Sequence, residues 1–308
     1  MRYSIGIDLG GTNLRAAACS QDGTLLKKIA GSTPVLAGPE AVIADMVEAA
    51  DALRAEFGPD GLAGIGAGVP GNIDMKTGVV LGWNNVPAFN GYPTRDVLMK
   101  RLNTPVILEN DANAAALGEH WAGAGKGVDD LVLLTLGTGV GGGIILGGEI
   151  LHGFVGMAGE LGHMTVVPNG NPCGCGNRGC LEKHASATSV GAMARLLNLG
   201  ATLSAHDVYT LAQNGDKRAQ AIWQSTGEAL GIALASLINI FNARLYLLGG
   251  GMSAAWDQFA PAMMAEIERR CFAYRLTRET TRIERATLGG DAGLIGAAGL
   301  AFRTATAI

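Results

Sequence analysis

Two stretches of this chain follow one plan. Residues 3–28, YSIGIDLGGTNLRAAACSQDGTLLKK, read as strand, glycine turn, strand and second turn. Residues 131–153, LVLLTLGTGVGGGIILGGEILHG, repeat that order, with Gly11-Thr12 answered by Gly137-Thr138 and Gly23 by Gly148. Such a repeat constrains the chain to two related halves, each opening on a hairpin and continuing as helix and strand in alternation. In the first half Ile43, Met46, Val47, Ala50, Leu53 and Phe57 form an apolar stripe at helical spacing, and LAGIGAGVPG and PVILEN read as strands. In the second, EALGIALASLINIFNAR reads as a buried core helix that leads into the strand RLYLLGGG and a helix over Trp256 to Arg269. The fold class is therefore α/β, with ligand expected between the halves. No low-complexity linker separates them, so the boundary near Asp111 to Gly125 is expected to be tight.

The glycines raise the question of phosphate. There are 47 among 308 residues, which implies many places where backbone turns tightly or approaches a ligand. Gly137, Gly139 and Gly142 satisfy G-x-G-x-x-G, but a dinucleotide fingerprint opens a helix, and here the β-rich IILGGEIL follows. No Walker-type lysine motif occurs. What remains is two glycine turns whose successive N–H groups form anion-binding concavities, with the Thr12 and Thr138 hydroxyls as extra donors. Asp8 ends the first strand beside its turn, where a carboxylate repels phosphate unless a cation lies between; Mg²⁺ resolves that conflict. Asp111 follows the strand PVILEN and precedes the predicted helix ANAAALGEHWAG. Either Asn110 or Asp111 caps that helix, or Asp111 takes the proton of an attacking hydroxyl.

Composition narrows the class. Hydrophobic residues make up 48% and charged residues 16%, which excludes general disorder, and a formal charge of -4 argues against nucleic acid as a partner. The arginine-rich run from Glu268 to Arg285 is interleaved with glutamates and reads as a solvated face. The N-terminus lacks the pattern of an export signal, and the core helix is shorter than the roughly 20 apolar residues of a bilayer span. The expected location is cytoplasmic, away from membranes. In a reducing cytosol the three cysteines of CGCGNRGC, Cys173, Cys175 and Cys180, are better read as metal ligands than as disulfides. Spacing leaves the fourth ligand open between His163 and His184.

The motifs DLGGTNLR, GVPGNID, LENDANAAALGE, LGTGVGGGI, GELGH and CGCGNRGCLE, in this order, resemble the ROK family of bacterial sugar kinases. The resemblance covers most of the chain. It implies an actin-like (ribonuclease H-like) ATPase fold of two related α/β domains with a cleft between them: residues 1–115 plus 293–308, and residues 116–292 carrying the zinc motif. It implies a homodimer that phosphorylates the 6-hydroxyl of a hexose with ATP and Mg²⁺. Position by position, Asp8, Gly10, Gly11, Thr12 and Asn13 match the first phosphate segment and Gly137, Thr138 and Gly139 the second, while Gly249, Gly250 and Gly251 fall near the adenosine. Asn110 and Asp111 match sugar-binding residues, Asp111 being the catalytic base, and Glu160, His163 and Glu182 match contacts to the remaining hydroxyls. The family's zinc ligands fall on His163, Cys173, Cys175 and Cys180, a closed set that makes the zinc structural and leaves Cys19 and Cys271 as free thiols. The expected activity is that of a glucokinase. Val80 departs from a position where glucose kinases of the family often carry asparagine, and Asn85 is more like the arrangement in N-acetylglucosamine kinases. The alternatives are therefore a kinase of N-acetylglucosamine, mannose or fructose, or a non-catalytic sugar-binding regulator on the same scaffold.

Overall fold

The computed structural model describes residues 1–83 and 86–305, so Asn85 lies outside the described residues. The first hairpin forms as expected. Strands β1 (Tyr3–Leu9) and β2 (Asn13–Ser20) pair antiparallel about the glycine turn, placing Asp8 opposite Arg15 and Leu9 opposite Leu14. β3 (Leu25–Ser32) pairs with β2. Helix α1 (Pro39–Phe57) begins on a proline, whose missing N–H costs nothing in the first turn, and buries Val42, Ile43, Met46, Ala50 and Leu53. β4 (Leu62–Val69) lies parallel to β1; β5 (Asn72–Asp74) and β6 (Val79–Gly82) form a two-stranded ribbon; α2 (Thr94–Leu102) leads into β7 (Val106–Asn110), parallel to β4. β7 runs without a loop into α3 (Asp111–Ala122).

The second series repeats the first. It comprises β8 (Leu131–Leu136), β9 (Val140–Leu146), β10 (Glu149–Ile150), α4 (Glu182–Ala185), α5 (Ala187–Leu196), α6 (Ala205–Gln213), α7 (Lys217–Phe241), β11 (Leu245–Gly249), α8 (Trp256–Arg270), α9 (Phe272–Thr277) and β12 (Arg282–Arg285). Helix α10 (Ala292–Ala305) follows. The first sheet is ordered β3-β2-β1-β4-β7 and the second β10-β9-β8-β11-β12. Each is a three-stranded run in chain order followed by two strands that join in parallel, so the repeat read from the two hairpins extends to whole sheets. The core helix is α7, with Trp223, Leu230, Leu234 and Leu237 buried, each large aliphatic contributing roughly 1.5–3 kcal/mol relative to exposure. Among the described residues no helix is long and apolar enough to cross a membrane. The arginine-rich run is studded with ion pairs, Glu266 with Arg269 and Arg270 and Glu284 with Arg282, as a solvated face requires. Cys19 and Cys271 are buried and unbridged.

The chain packs as two compact units that differ from the division expected at residues 115 and 293. Unit 1 holds residues 1–129, 143–159 and Gly290 onward; unit 2 holds 130–142 and 160–289. Two features draw the extra segments into unit 1. Helix α3 lies so close to α10 that a Cβ at Gly118 would collide with the Ala292 carbonyl and one at Gly296 with the Ala114 carbonyl. Residues 143–159 are tied there by Arg303, which donates to the Gly148 carbonyl and to Glu149 Oε1, and by a contact between His152 and Glu109.

Candidate functional site

In unit 1 the first glycine turn closes through Gly10 N–H to the Asn13 carbonyl at 2.8 Å, and Thr33 holds it from behind, its hydroxyl donating to Gly10 O at 2.9 Å. Gly11, Thr12 and Asn13 are exposed, and with Gly10, Arg15 and Lys28 they line a pocket of about 420 Å³. Asp8 is buried beneath the turn, where Arg15 Nη2 donates to its Oδ2. Arg15 also donates to Gly290 O at 2.5 Å, and Asp291 takes Lys28. Burial pushes the Asp8 carboxyl up, with the Arg15 charge pulling against it. Arg15 thus gives this carboxylate a cationic partner within the hairpin itself. Sequence reasoning missed Arg15, although hairpin register supplied the signal: pairing Leu9 with Leu14 sets Asp8 opposite it.

At the end of β7 the choice of helix cap resolves. Asn110 Oδ1 accepts from Ala112 N at 2.9 Å and Asn113 N at 3.2 Å, while its Nδ2 donates to Gly71 O at 3.2 Å. Capping therefore falls to Asn110. Asp111 is the first helical residue, half-buried, its Oδ1 2.9 Å from Ala112 N, at the positive end of the α3 dipole. Val80, which departs from the family pattern, is 1% exposed and belongs to the apolar core of this unit.

In unit 2 the second glycine turn closes through Gly137 N–H to Gly139 O at 2.9 Å and is roofed by the start of α5. Ala187 N donates to Gly137 O at 2.8 Å, and the Thr188 hydroxyl to Thr138 O at 2.7 Å. Gly137, Thr138 and Gly251 share a largely apolar pocket of about 340 Å³ with Tyr209, Met252 and Ala255. Gly250 makes that juxtaposition possible: φ is +80°, and a Cβ there would collide with the Leu136 carbonyl at the end of β8. Gly249 is buried at the end of β11. Glu182 opens α4 with its Oε2 accepting from Val140 N at 3.3 Å, directly beside Gly139.

The cysteine motif lies in the same unit. The ligand atoms of His163, Cys173, Cys175 and Cys180 all fall within 4.8 Å of one another. Cys175 Sγ to Cys180 Sγ is 3.7 Å, and Cys173 Sγ to His163 Nδ1 is also 3.7 Å. A tetrahedral zinc with bonds of roughly 2.3 Å to sulfur sets its sulfurs about 3.8 Å apart, so this donor set fits the ion and leaves no open position. His184 is not in the group; its Nε2 is buried without a protein partner. A backbone knuckle, Cys173 N to Asn177 O at 2.8 Å and Gly176 N to Cys173 O at 3.1 Å, shapes the loop, and Leu181 N to Met164 O at 2.8 Å joins it to the turn Leu161–His163. The second ring nitrogen of His163, Nε2, lies 3.8 Å from Oε2 of the exposed Glu160.

Two sheets of matching strand order, each led by a glycine-turn hairpin, define an actin-like ATPase fold. Within it the chain belongs to the ROK family, whose model matches residues 4–304. The chain is 39% identical to the glucokinase of Halalkalibacterium halodurans, with 96% of this chain and 93% of that protein covered. Among solved structures it is similar to the ROK hexokinase from Thermus thermophilus, at 37% identity and a TM-score of 0.88 over 99% of this chain and 100% of that one. It is also similar to a ROK family glucokinase from Streptomyces griseus in complex with glucose and AMPPNP, at 33% identity and a TM-score of 0.82 over 98% and 99%.

Proposed function

We infer that this chain is an ATP-dependent hexose kinase, a glucokinase that transfers the γ-phosphoryl group of ATP to the 6-hydroxyl of glucose. The observation that carries the mechanism is the place of Asp111: it opens α3 directly at the end of β7, half-buried at the positive end of the helix dipole, while Asn110 makes the cap. Asp111 accepts the proton of the attacking hydroxyl as the new oxygen–phosphorus bond forms and the bond to ADP breaks. Glu160, His163 and Glu182 hold the other hydroxyls. The second glycine turn and Gly249 to Gly251 receive the nucleoside end of ATP, while the first turn, with Asp8 and Asn13, receives phosphate. Asp8 would be the residue to hold Mg²⁺, which would supply charge neutralisation at the phosphate oxygens. His163, Cys173, Cys175 and Cys180 would hold zinc, which would fix the orientation of the His163 imidazole and leave its second ring nitrogen to meet the sugar as a donor.

Glucose is favoured over N-acetylglucosamine because the glucokinase relative matches nearly the whole chain. A coupled ADP-release assay with glucose, mannose, fructose and N-acetylglucosamine at equal concentration tests the substrate, and a preference for the acetamido sugar reverses the assignment. Asp111→Asn keeps shape and hydrogen bonds but cannot take the proton; kcat falls at least about a hundredfold, the scale of general-base catalysis, with sugar binding retained. Turnover near the wild-type rate would assign Asp111 to structure alone.

A further inference from the structure

One buried carboxylate has no part in the chemistry above. Glu109 is the penultimate residue of β7, two residues before Asp111, and is 1% exposed. Burying a carboxylate in an apolar strand costs several kcal/mol unless it is fully engaged, so an apolar residue would serve the core better. Here three donors converge on it. Oε1 accepts from Asn110 N at 2.9 Å and from Asn113 Nδ2 at 3.0 Å, and Oε2 lies 2.7 Å from His152 Nε2. Asn113 is itself buried, and its Oδ1 finds no partner among the described groups. A second polar side chain has thus been placed in the core at a cost, to serve Glu109.

His152 comes from a different part of unit 1. It follows β10, its side chain is about one-third exposed, and its carbonyl accepts from Ala158 N at 3.0 Å, which closes the loop that leads to Glu160. The hydrogen bond to Glu109 raises the pKa of His152 against the opposing pull of burial, favouring a charged partner for the carboxylate. Glu149, itself bonded to Arg303, is the other charge acting on the ring.

We propose that Glu109 and His152 form a positioning dyad for phosphoryl transfer. Glu109 locks the first turn of α3 onto β7 through Asn110 and Asn113, and His152 holds the second carboxylate oxygen so that the lock has one geometry. Asp111, carried on that turn, is thereby presented in a single orientation. Neither member touches the reacting atoms. The proposal rests on Asp111 acting as the base, because misplacing a catalytic group by about an ångström is enough to cost up to a hundredfold in rate.

The test compares His152→Leu, His152→Gln and Asp111→Asn, each alone and the first combined with the third, with kcat and the KM values for glucose and ATP measured beside Tm. The amide nitrogen of Gln takes the place of Nε2 as donor to Glu109. His152→Leu is expected to lower kcat roughly tenfold, with the KM for ATP unchanged, and His152→Gln to recover most of the loss. In the Asp111→Asn background His152→Leu is expected to cost nothing further, since the dyad acts through Asp111. A His152→Leu enzyme with wild-type kcat overturns the proposal, as does a Gln variant no better than Leu or full additivity in the double variant. An active Asp111→Asn enzyme would instead overturn the base assignment, a distinct result. Should His152→Leu fail to fold, Glu109→Gln keeps the test open: it retains an acceptor for Asn110 N, and an unchanged kcat in it also overturns the dyad.

Discussion

The two glycine turns share a sequence plan and differ in everything around them. The first is exposed and underlain by charge: Asp8, Arg15, Lys28 and Asp291 form a chain of ion pairs beneath and beside Gly10 to Asn13. The second is roofed by α5 and opens on an apolar pocket, and the carboxylate beside it, Glu182, comes from another segment of the chain. A duplicated backbone device thus sits in two environments. Under the proposed function, the turn with paired charge would receive phosphate, and the same turn set among apolar walls would receive the nucleoside. The backbone concavity is generic, and specificity comes from what packs around it.

That contrast breaks first at Asp8. Asp8→Ala removes the buried carboxylate beneath the first turn and leaves Arg15 only the longer contact to Asp291 at 3.9 Å and the Gly290 carbonyl, so kcat/KM is expected to fall on the order of a hundredfold, the scale of losing a preorganised electrostatic partner. Thr138→Ala at the second turn removes a hydroxyl next to an already roofed backbone and is expected to cost less than about tenfold. Steady-state kinetics on the pair decide the matter; equal losses would mean that both turns handle the same charge.

A smaller effect is expected from the metal side. Cys175→Ala should lose zinc and raise the KM for glucose about tenfold, the usual reach of groups that orient a ligand, while ATP affinity stays near normal. Metal analysis followed by separate titrations of sugar and nucleotide checks this. Zinc well below one per chain in fresh wild-type protein removes the structural site, and a zinc-free variant with unaltered sugar binding removes the link through His163.

The smallest effect compares two glycines of one turn. A Cβ at Gly137 meets nothing within 4 Å, whereas one at Gly139 would overlap Glu182 Oε2. Gly139→Ala must therefore displace the flexible end of Glu182, and the KM for glucose is expected to rise roughly threefold, about 0.7 kcal/mol, with Tm barely altered. Gly137→Ala should leave that KM unchanged, and the reverse order would separate Glu182 from the sugar.

Much of this was legible because it is local. Turn glycines, strand alternation and the cysteine spacing act within a few residues, so the hairpins and CGCGNRGC could be read directly, and even the Asp8–Arg15 pair was within reach of hairpin register. The fourth metal ligand needed family resemblance, because His163 and His184 are both close enough in sequence and only the turn Leu161–His163 directs one imidazole to the thiols. The boundary between units was hidden for a physical reason. Every residue of α3 from Ala112 to Glu119 is buried, so the helix has no polar face to mark its outside, and its close fit to α10 depends on missing side chains. The Glu109–His152 contact joins positions 43 apart, which no periodicity encodes.

The seat of α10 in unit 1 also sets an order of assembly. Gly6 and Gly66, on β1 and β4, admit its backbone at Leu294 and Ala297, and the Ser4 hydroxyl bonds to Ala298 O, 294 positions along the sequence. During synthesis at roughly 5–20 residues per second, β1 therefore waits on the order of 15–60 s for the helix that covers it. Over that interval the sheet carrying Asp8 and the first turn has an open apolar face, while every residue of unit 2 has been made by position 289. The apolar pocket at the second turn can thus form on the ribosome before the first turn has its final support, and nascent chains stalled short of α10 are the species in which aggregation, or capture by a chaperone, would begin.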